Sequence, residues 1–198
     1  MIKLKEKEVI WVVGSPRSGT TFVTEYIGKY VDNCICEQWE SFPQMKPELW
    51  KIPKGKTVFK YCSNSFHYEY LSNEYKNSKW VYVKRNPIHI FYSVLFPKES
   101  SYPKRDKYRW NANGKWNKEN DEDILKRFIK YYETITSSAN KIKEAFVFEY
   151  ENPDIKSLAD FLDLPLSEKD FDYRNQNLKY DLSNMKKLNK MLDKIEMC

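Results

Sequence analysis

The sequence predicts an α/β fold, a central parallel sheet with helices on both faces. Three observations carry that expectation. Runs rich in Val, Ile and aromatics stand at 8–13 (EVIWVV), 56–62 (KTVFKYC), 79–85 (KWVYVKR) and 145–150 (AFVFEY). They are apolar throughout rather than alternating, as strands buried on both faces are. Segments of helical spacing come between them, and that alternation favours a parallel sheet. A loop framed by two glycines, GSPRSGTT, joins the first strand to the first helix, where open α/β sheets collect their ligands.

In chain order, 8–13 is a buried strand and 19–31 a helix opening after the loop. Cys34 and Cys36 follow, two apart, on one strand or loop. A second strand spans 56–62, and a helix at 67–78 turns Leu71 and Tyr75 inward. After the strand at 79–85 a helix spans 86–96, with Asn86 as cap and Pro87 in the first turn. Residues 97–120 are polar and long enough to form a lid or an acceptor loop. A long amphipathic helix at 121–143 faces the core with Ile124, Phe128, Tyr131, Tyr132 and Ile135. The strand at 145–150 leads to a helix at 154–164. The tail, 181–196, carries Leu182, Met185, Leu188, Leu192 and Ile195 at helical spacing. The sequence shows no internal repeat and no second domain, so residues 1–198 are expected to form one.

A chain of 198 residues is long enough to bury a core without staples. Its formal charge of +6 suits an anionic ligand, and is equally ordinary for a lysine-rich protein. Only five residues are glycine, so two of them in one loop carry weight. Four cysteines without a Cys-x-x-Cys pair, and two histidines, argue against a structural zinc site and for a reducing compartment. There is no basic-then-apolar leader and no run approaching about eighteen apolar residues. The expectation is therefore a cytoplasmic protein without a membrane span.

The loop is P-loop-like but lacks that loop's lysine. Thr20 stands where the lysine would be, and the positive charge is Arg17. Amides of residues 15–20 are expected to curl around an anion with the helix dipole behind them. Gly14 and Gly19 permit the path, Ser15, Pro16 and Ser18 fill it, and Thr20 and Thr21 add hydroxyl donors. Arg17 reaches over the bound group as a fork. The missing lysine counts against ATP hydrolysis, while a lysine-free loop is still compatible with a single 5'-phosphate whose outer substituent is transferred.

GSPRSGTTF resembles the 5'-phosphosulfate loop of sulfotransferases that use 3'-phosphoadenosine 5'-phosphosulfate (PAPS). The arginine form is similar to the tyrosylprotein and bacterial glycolipid branches. VYVKRNPIHIFYSV, 81–94, resembles the family's second motif, in which an arginine and a serine eight positions on hold the 3'-phosphate. Arg85 and Ser93 match that spacing. FVFEYENPDIKSLADFLDLPL, 146–166, resembles the family's late strand, turn and helix, with Asn152 for the usual aspartate and Asp163 for the usual glycine. The family's late Arg-Lys-Gly loop is missing, with Arg174 and Lys179 as weak substitutes.

The resemblance implies sulfuryl transfer from PAPS to a hydroxyl or amine, with no metal required. Arg17 and then Lys60 are expected to stabilise the leaving phosphate. The arginine branch also implies a glutamate base some twenty residues past the loop arginine. Glu37 is the candidate, with Glu40 behind it; both could equally be solvated loop carboxylates. His67 competes, since the lysine branch uses a histidine, or it is a helix-start residue with no role. Tyr150, Trp110 and Trp116 are the candidates for stacking on adenine, and Tyr150 is counted with the cofactor-binding residues. The 98–120 segment, rich in lysine, arginine and aromatics, is expected to cover the cofactor or meet an acidic acceptor rather than to bind nucleic acid. The rival readings are a P-loop nucleotide kinase-like phosphotransferase and a non-catalytic adenosine bisphosphate-binding protein. Neither the acceptor nor the oligomeric state can be read from the sequence.

Overall fold

A computed structural model of the chain describes residues 7–36, 52–96, 120–171 and 180–196. They fall into two compact units. The first combines Met1–Lys84 with Ile135–Asp172, and the second combines Arg85–Thr134 with Tyr173–Cys198.

The first unit holds the sheet. Its strands are β1 (Glu8–Val13), β2 (Asn33–Cys36), β3 (Lys56–Lys60), β4 (Lys79–Lys84) and β5 (Phe146–Glu149), in the order β2-β3-β1-β4-β5. Every ladder is parallel. The β-branched and aromatic residues of β1 face both ways, because both faces are covered. Ile10 and Val12 join Val58, Val81, Val83 and Phe148 under α1 (Thr20–Gly28) and α5 (Ile155–Leu162). Val9, Trp11 and Val13 join Phe59, Trp80 and Tyr82 on the other face, with Leu71 of α2 (Tyr68–Glu74), Ala139 and Ile142. Fully burying a side chain such as Phe148 contributes roughly 1.5–3 kcal/mol. A parallel sheet needs its neighbours to cover it in this way before any strand is stable.

Local signals set the helix ends. Asp154 caps α5 by accepting from the Ser157 amide, and the helix closes at Asp163 in the left-handed region, φ 52°. That is the position where the resemblance leads one to expect glycine, and the backbone explains why glycine belongs there.

The second unit is helical. It contains α3 (Pro87–Leu95), α6 (Leu182–Glu196) and α4 (Asp121–Ala139) as far as Thr134. Asn86 caps α3 by accepting from the Ile88 amide, and Pro87 begins the helix, as its sequence predicts. Ile90, Phe91, Val94, Ile124, Leu125, Phe128 and Leu188 form its core.

Several boundaries differ from expectation. The helix expected over 19–31 ends at Gly28, and the one expected over 67–78 ends at Glu74. The segment 33–36, left open as strand or loop, is a fifth strand. The strand begun at Lys56 ends at Lys60, and a six-residue 3-10 run, Cys62–His67, stands where strand and helix were expected to meet. The helix expected over 121–143 stops at Ala139.

Candidate functional site

The loop between β1 and α1 lies at the carboxyl edge of the central strand. Its path depends on the left-handed half of backbone space: φ is 151° at Gly14, 71° at Arg17 and 98° at Gly19. A Cβ at Gly14 would stand 2.6 Å from the Val83 carbonyl oxygen, so β4 approaches too closely for any side chain. A Cβ at Gly19 would stand 2.2 Å from the Tyr150 ring. Both glycines are therefore required by packing as well as by conformation.

Tyr150 is the loop's support. It continues from β5, its amide donates to the Lys84 carbonyl at 2.9 Å, and its ring is 4% exposed. The ring meets Phe22 edge-on, and Phe22 in turn meets Phe171. These rings brace the start of α1.

Within the loop the Ser18 amide donates to the Ser15 carbonyl, a tight turn that fixes the left-handed residue between them. The first helical bond of α1 runs from the Val23 amide to the Gly19 carbonyl. The amides of Thr20, Thr21 and Phe22 precede it and so have no helical acceptor. Ser15, Ser18 and Thr20 are buried, Pro16, Arg17 and Gly19 are half-buried, and Thr21 is exposed. Ser18 is 1% exposed, and its hydroxyl has no hydrogen-bond partner among the described residues. A helix start, glycines with no room for a side chain, an orphaned buried hydroxyl and a half-buried arginine fit a phosphate-bearing ligand.

Lys60 ends β3 in register with Val12 of β1 and Cys36 of β2. It is 6% exposed, unusual for a lysine, whose burial ordinarily calls for anionic or hydrogen-bonded company. Burial pushes the neighbouring Cys36 thiol up to about 12, with Cys34 adding to the rise and the Lys60 charge acting against it. His67 closes the 3-10 run and stands immediately before α2, half-buried, without capping that helix through its side chain.

Arg85 follows Lys84 in the chain and belongs to the second unit, as does Ser93. Ser93 lies on α3 and its hydroxyl donates to the His89 carbonyl at 2.9 Å. His89 stacks on Tyr180, so it packs as an aromatic of its own unit. Glu37, Glu40, Trp110, Trp116, Arg174, Lys179 and the segment 97–119 lie outside the described residues. Among the described residues no group of three or more His, Cys, Asp or Glu could hold a metal ion, and no helix is long and apolar enough to cross a membrane.

Sequence reasoning missed one feature of this edge. Asn64 and Ser65, in the 3-10 run, are 0% and 3% exposed. The string CSNSF reads as solvated loop, and nothing local announces its burial.

Several solved structures match this architecture. Among them is the crystal structure of mouse sulfotransferase SULT7A1 complexed with PAP, matched over 92% of this chain with 23% identity and a TM-score of 0.53. The two chains share a fold. This chain spans 63% of the length of the mouse chain. No family model matches the sequence, and no curated protein does.

Proposed function

We propose that the chain is a sulfotransferase that uses PAPS as donor and a hydroxyl or amine as acceptor. The observation that carries this reading is the loop: a phosphate-loop-like backbone, closed against β4 and Tyr150, with Thr20 at the lysine's position and Arg17 supplying the positive charge. The fold it shares with a sulfotransferase crystallised with PAP supports the same reading.

In this reading the amides at the start of α1, with the Thr20 and Thr21 hydroxyls, hold the 5'-phosphate. Gly14, Ser15, Pro16, Ser18 and Gly19 shape the cradle. Arg85 and Ser93 hold the 3'-phosphate. Tyr150 acts through the loop it supports. Bound PAPS supplies an activated sulfuryl group whose leaving group is a phosphate ester. The chain's task is then placement and positive charge rather than covalent chemistry. Arg17 and Lys60 supply that charge, and Lys60, being buried, acts where water screens little. Glu37 takes the acceptor's proton, with Glu40 and His67 as the other candidates. No step calls for a metal, because a sulfuryl group carries less charge than a phosphoryl group.

The experiment is transfer of sulfur-labelled PAPS onto a panel of phenols, sugars, amines and peptides. Labelled product is expected, and Arg17→Ala should reduce it by at least about tenfold, the loss of one charge-assisted contact. PAP binding without transfer to any acceptor, and with no change on Glu37→Gln, would indicate a bisphosphate-binding protein instead. Label transfer from γ-labelled ATP with Mg²⁺ would indicate a kinase.

A further inference from the structure

The 3-10 run Cys62–His67 sits in a telling place. The sheet order puts β3 beside β1, and Lys60 is level with Val12. The segment leaving β3 therefore starts beside the segment leaving β1, which is the phosphate loop, and the run packs beside β1. At six residues it is longer than 3-10 helices usually are, and its hydrogen bonds are the poorer kind.

Its side chains are the stronger evidence. Asn64 is 0% exposed, and neither its side-chain amide nitrogen nor its side-chain oxygen has a hydrogen-bond partner among the described residues. Ser65 is 3% exposed, and among the described residues its hydroxyl has none either. A buried polar group without a partner costs free energy, so such groups in a folded chain call for a specific cause. Three orphaned groups, Ser18 on the loop and Asn64 and Ser65 on the turn, belong to adjacent strand ends. The buried lysine Lys60 closes the β3 ladder, with Tyr61 between it and the turn.

We propose that Asn64 and Ser65 receive the sulfuryl end of the donor. The inference rests on the sulfotransferase reading above and deepens it. The loop holds the 5'-phosphate at the end of β1, so the group beyond that phosphate needs its own partners. On the β3 side, Lys60 and the turn are next in line. A sulfuryl group presents oxygens that only accept hydrogen bonds. The Asn64 amide nitrogen and the Ser65 hydroxyl donate to them, and neutral donors suit a group of low charge. The Asn64 amide oxygen, an acceptor, is left for the proton-bearing atom of the incoming acceptor. Because both side chains are enclosed in the ligand-free fold, the 3-10 run shifts when PAPS binds. PAP lacks the sulfuryl group and leaves the run in place.

The test compares PAPS with PAP on the full chain by calorimetry, for the unaltered protein, Asn64→Leu and Ser65→Ala. Each variant should bind PAP within about twofold of the unaltered chain. The ratio of the PAPS to the PAP dissociation constant should rise about tenfold in Asn64→Leu and less in Ser65→Ala. Without ligand, Asn64→Leu should melt no earlier than the unaltered chain, since it removes an orphaned amide. Ser65→Ala deletes one atom and keeps the test available if the leucine misfolds. Hydrogen exchange in residues 62–67 should change with PAPS and not with PAP. An unchanged ratio in both variants, or equal loss of both ligands, overturns the proposal while leaving the sulfotransferase reading intact. Failure of the unaltered chain to bind PAP overturns that reading and this proposal together.

Discussion

Two neighbouring strand ends handle their difficulties in opposite ways. The loop after β1 takes its cost in the backbone, with Arg17 held at positive φ between two glycines that adopt theirs freely, and is braced by the ring of Tyr150. The turn after β3 stores its cost in side chains: those of Asn64 and Ser65 are buried with no hydrogen-bond partner among the described residues. The first kind of cost maintains a shape, a fixed cradle that exists before any ligand arrives. The second kind maintains an unmet demand, which a ligand with the right atoms can meet. A rigid anchor for the unchanging phosphate and a responsive turn for the group that departs would be a sensible division of labour at a transfer site.

The largest expected effect comes from breaking the anchor. Gly19→Ala places a Cβ 2.2 Å from the buried Tyr150 ring at a φ of 98°. Strain and overpacking together should cost about 2–4 kcal/mol of stability. PAP affinity should fall by about a hundredfold or more, since the start of α1 is displaced with the loop. Melting curves and calorimetry read the two effects separately.

Arg17→Gly sharpens the comparison, because it separates shape from charge. Arg17 holds φ 71°, which glycine adopts freely. The variant should melt no earlier than the unaltered chain, yet bind PAPS at least about tenfold more weakly, the worth of a charge-assisted contact. A loss of stability with unchanged affinity would mean that the arginine is structural.

Arg85→Ala should weaken PAP about tenfold and leave adenosine 5'-monophosphate nearly unaffected, because only PAP carries the 3'-phosphate. Equal losses for the two ligands would place Arg85 elsewhere.

The smallest effect is a control away from both strand ends. Asp163, at φ 52°, ends α5 in a conformation that suits glycine. Asp163→Gly should raise stability by about 0.5–1 kcal/mol without changing any ligand affinity.

Much of this was legible in the sequence, and the rest was hidden for physical reasons. The strands at 8–13, 56–60, 79–84 and 146–149 announce themselves because parallel strands covered on both faces are apolar throughout. Gly14 and Gly19 were legible because glycine is scarce in the chain and the loop demands positive φ. NCIC at 33–36 was not: it is short, lies at the sheet's edge, and contains residues with no strong preference. The end of β3 was hidden because Tyr61 and Cys62 look like more strand. Tyr61 is indeed extended, and the strand stops because its pairing stops. The burial of Asn64 and Ser65 had no local signature at all, since polar residues in a short linking segment ordinarily face water. Only the packing around a turn can enclose them. The sequence places Tyr150 with the ligand, and its ring against Gly19 adds a bracing role that no spacing rule reveals.

This lysine-free loop is proposed to serve an adenosine 3',5'-bisphosphate ligand. Calorimetry of the full chain with PAP and, separately, with ATP–Mg²⁺ tests it most directly. The account predicts dissociation in the micromolar range or tighter for PAP and at least about tenfold weaker binding for ATP–Mg²⁺, since the loop has no lysine to span a β,γ-phosphate pair. Tight ATP–Mg²⁺ binding with no preference for PAP would contradict it.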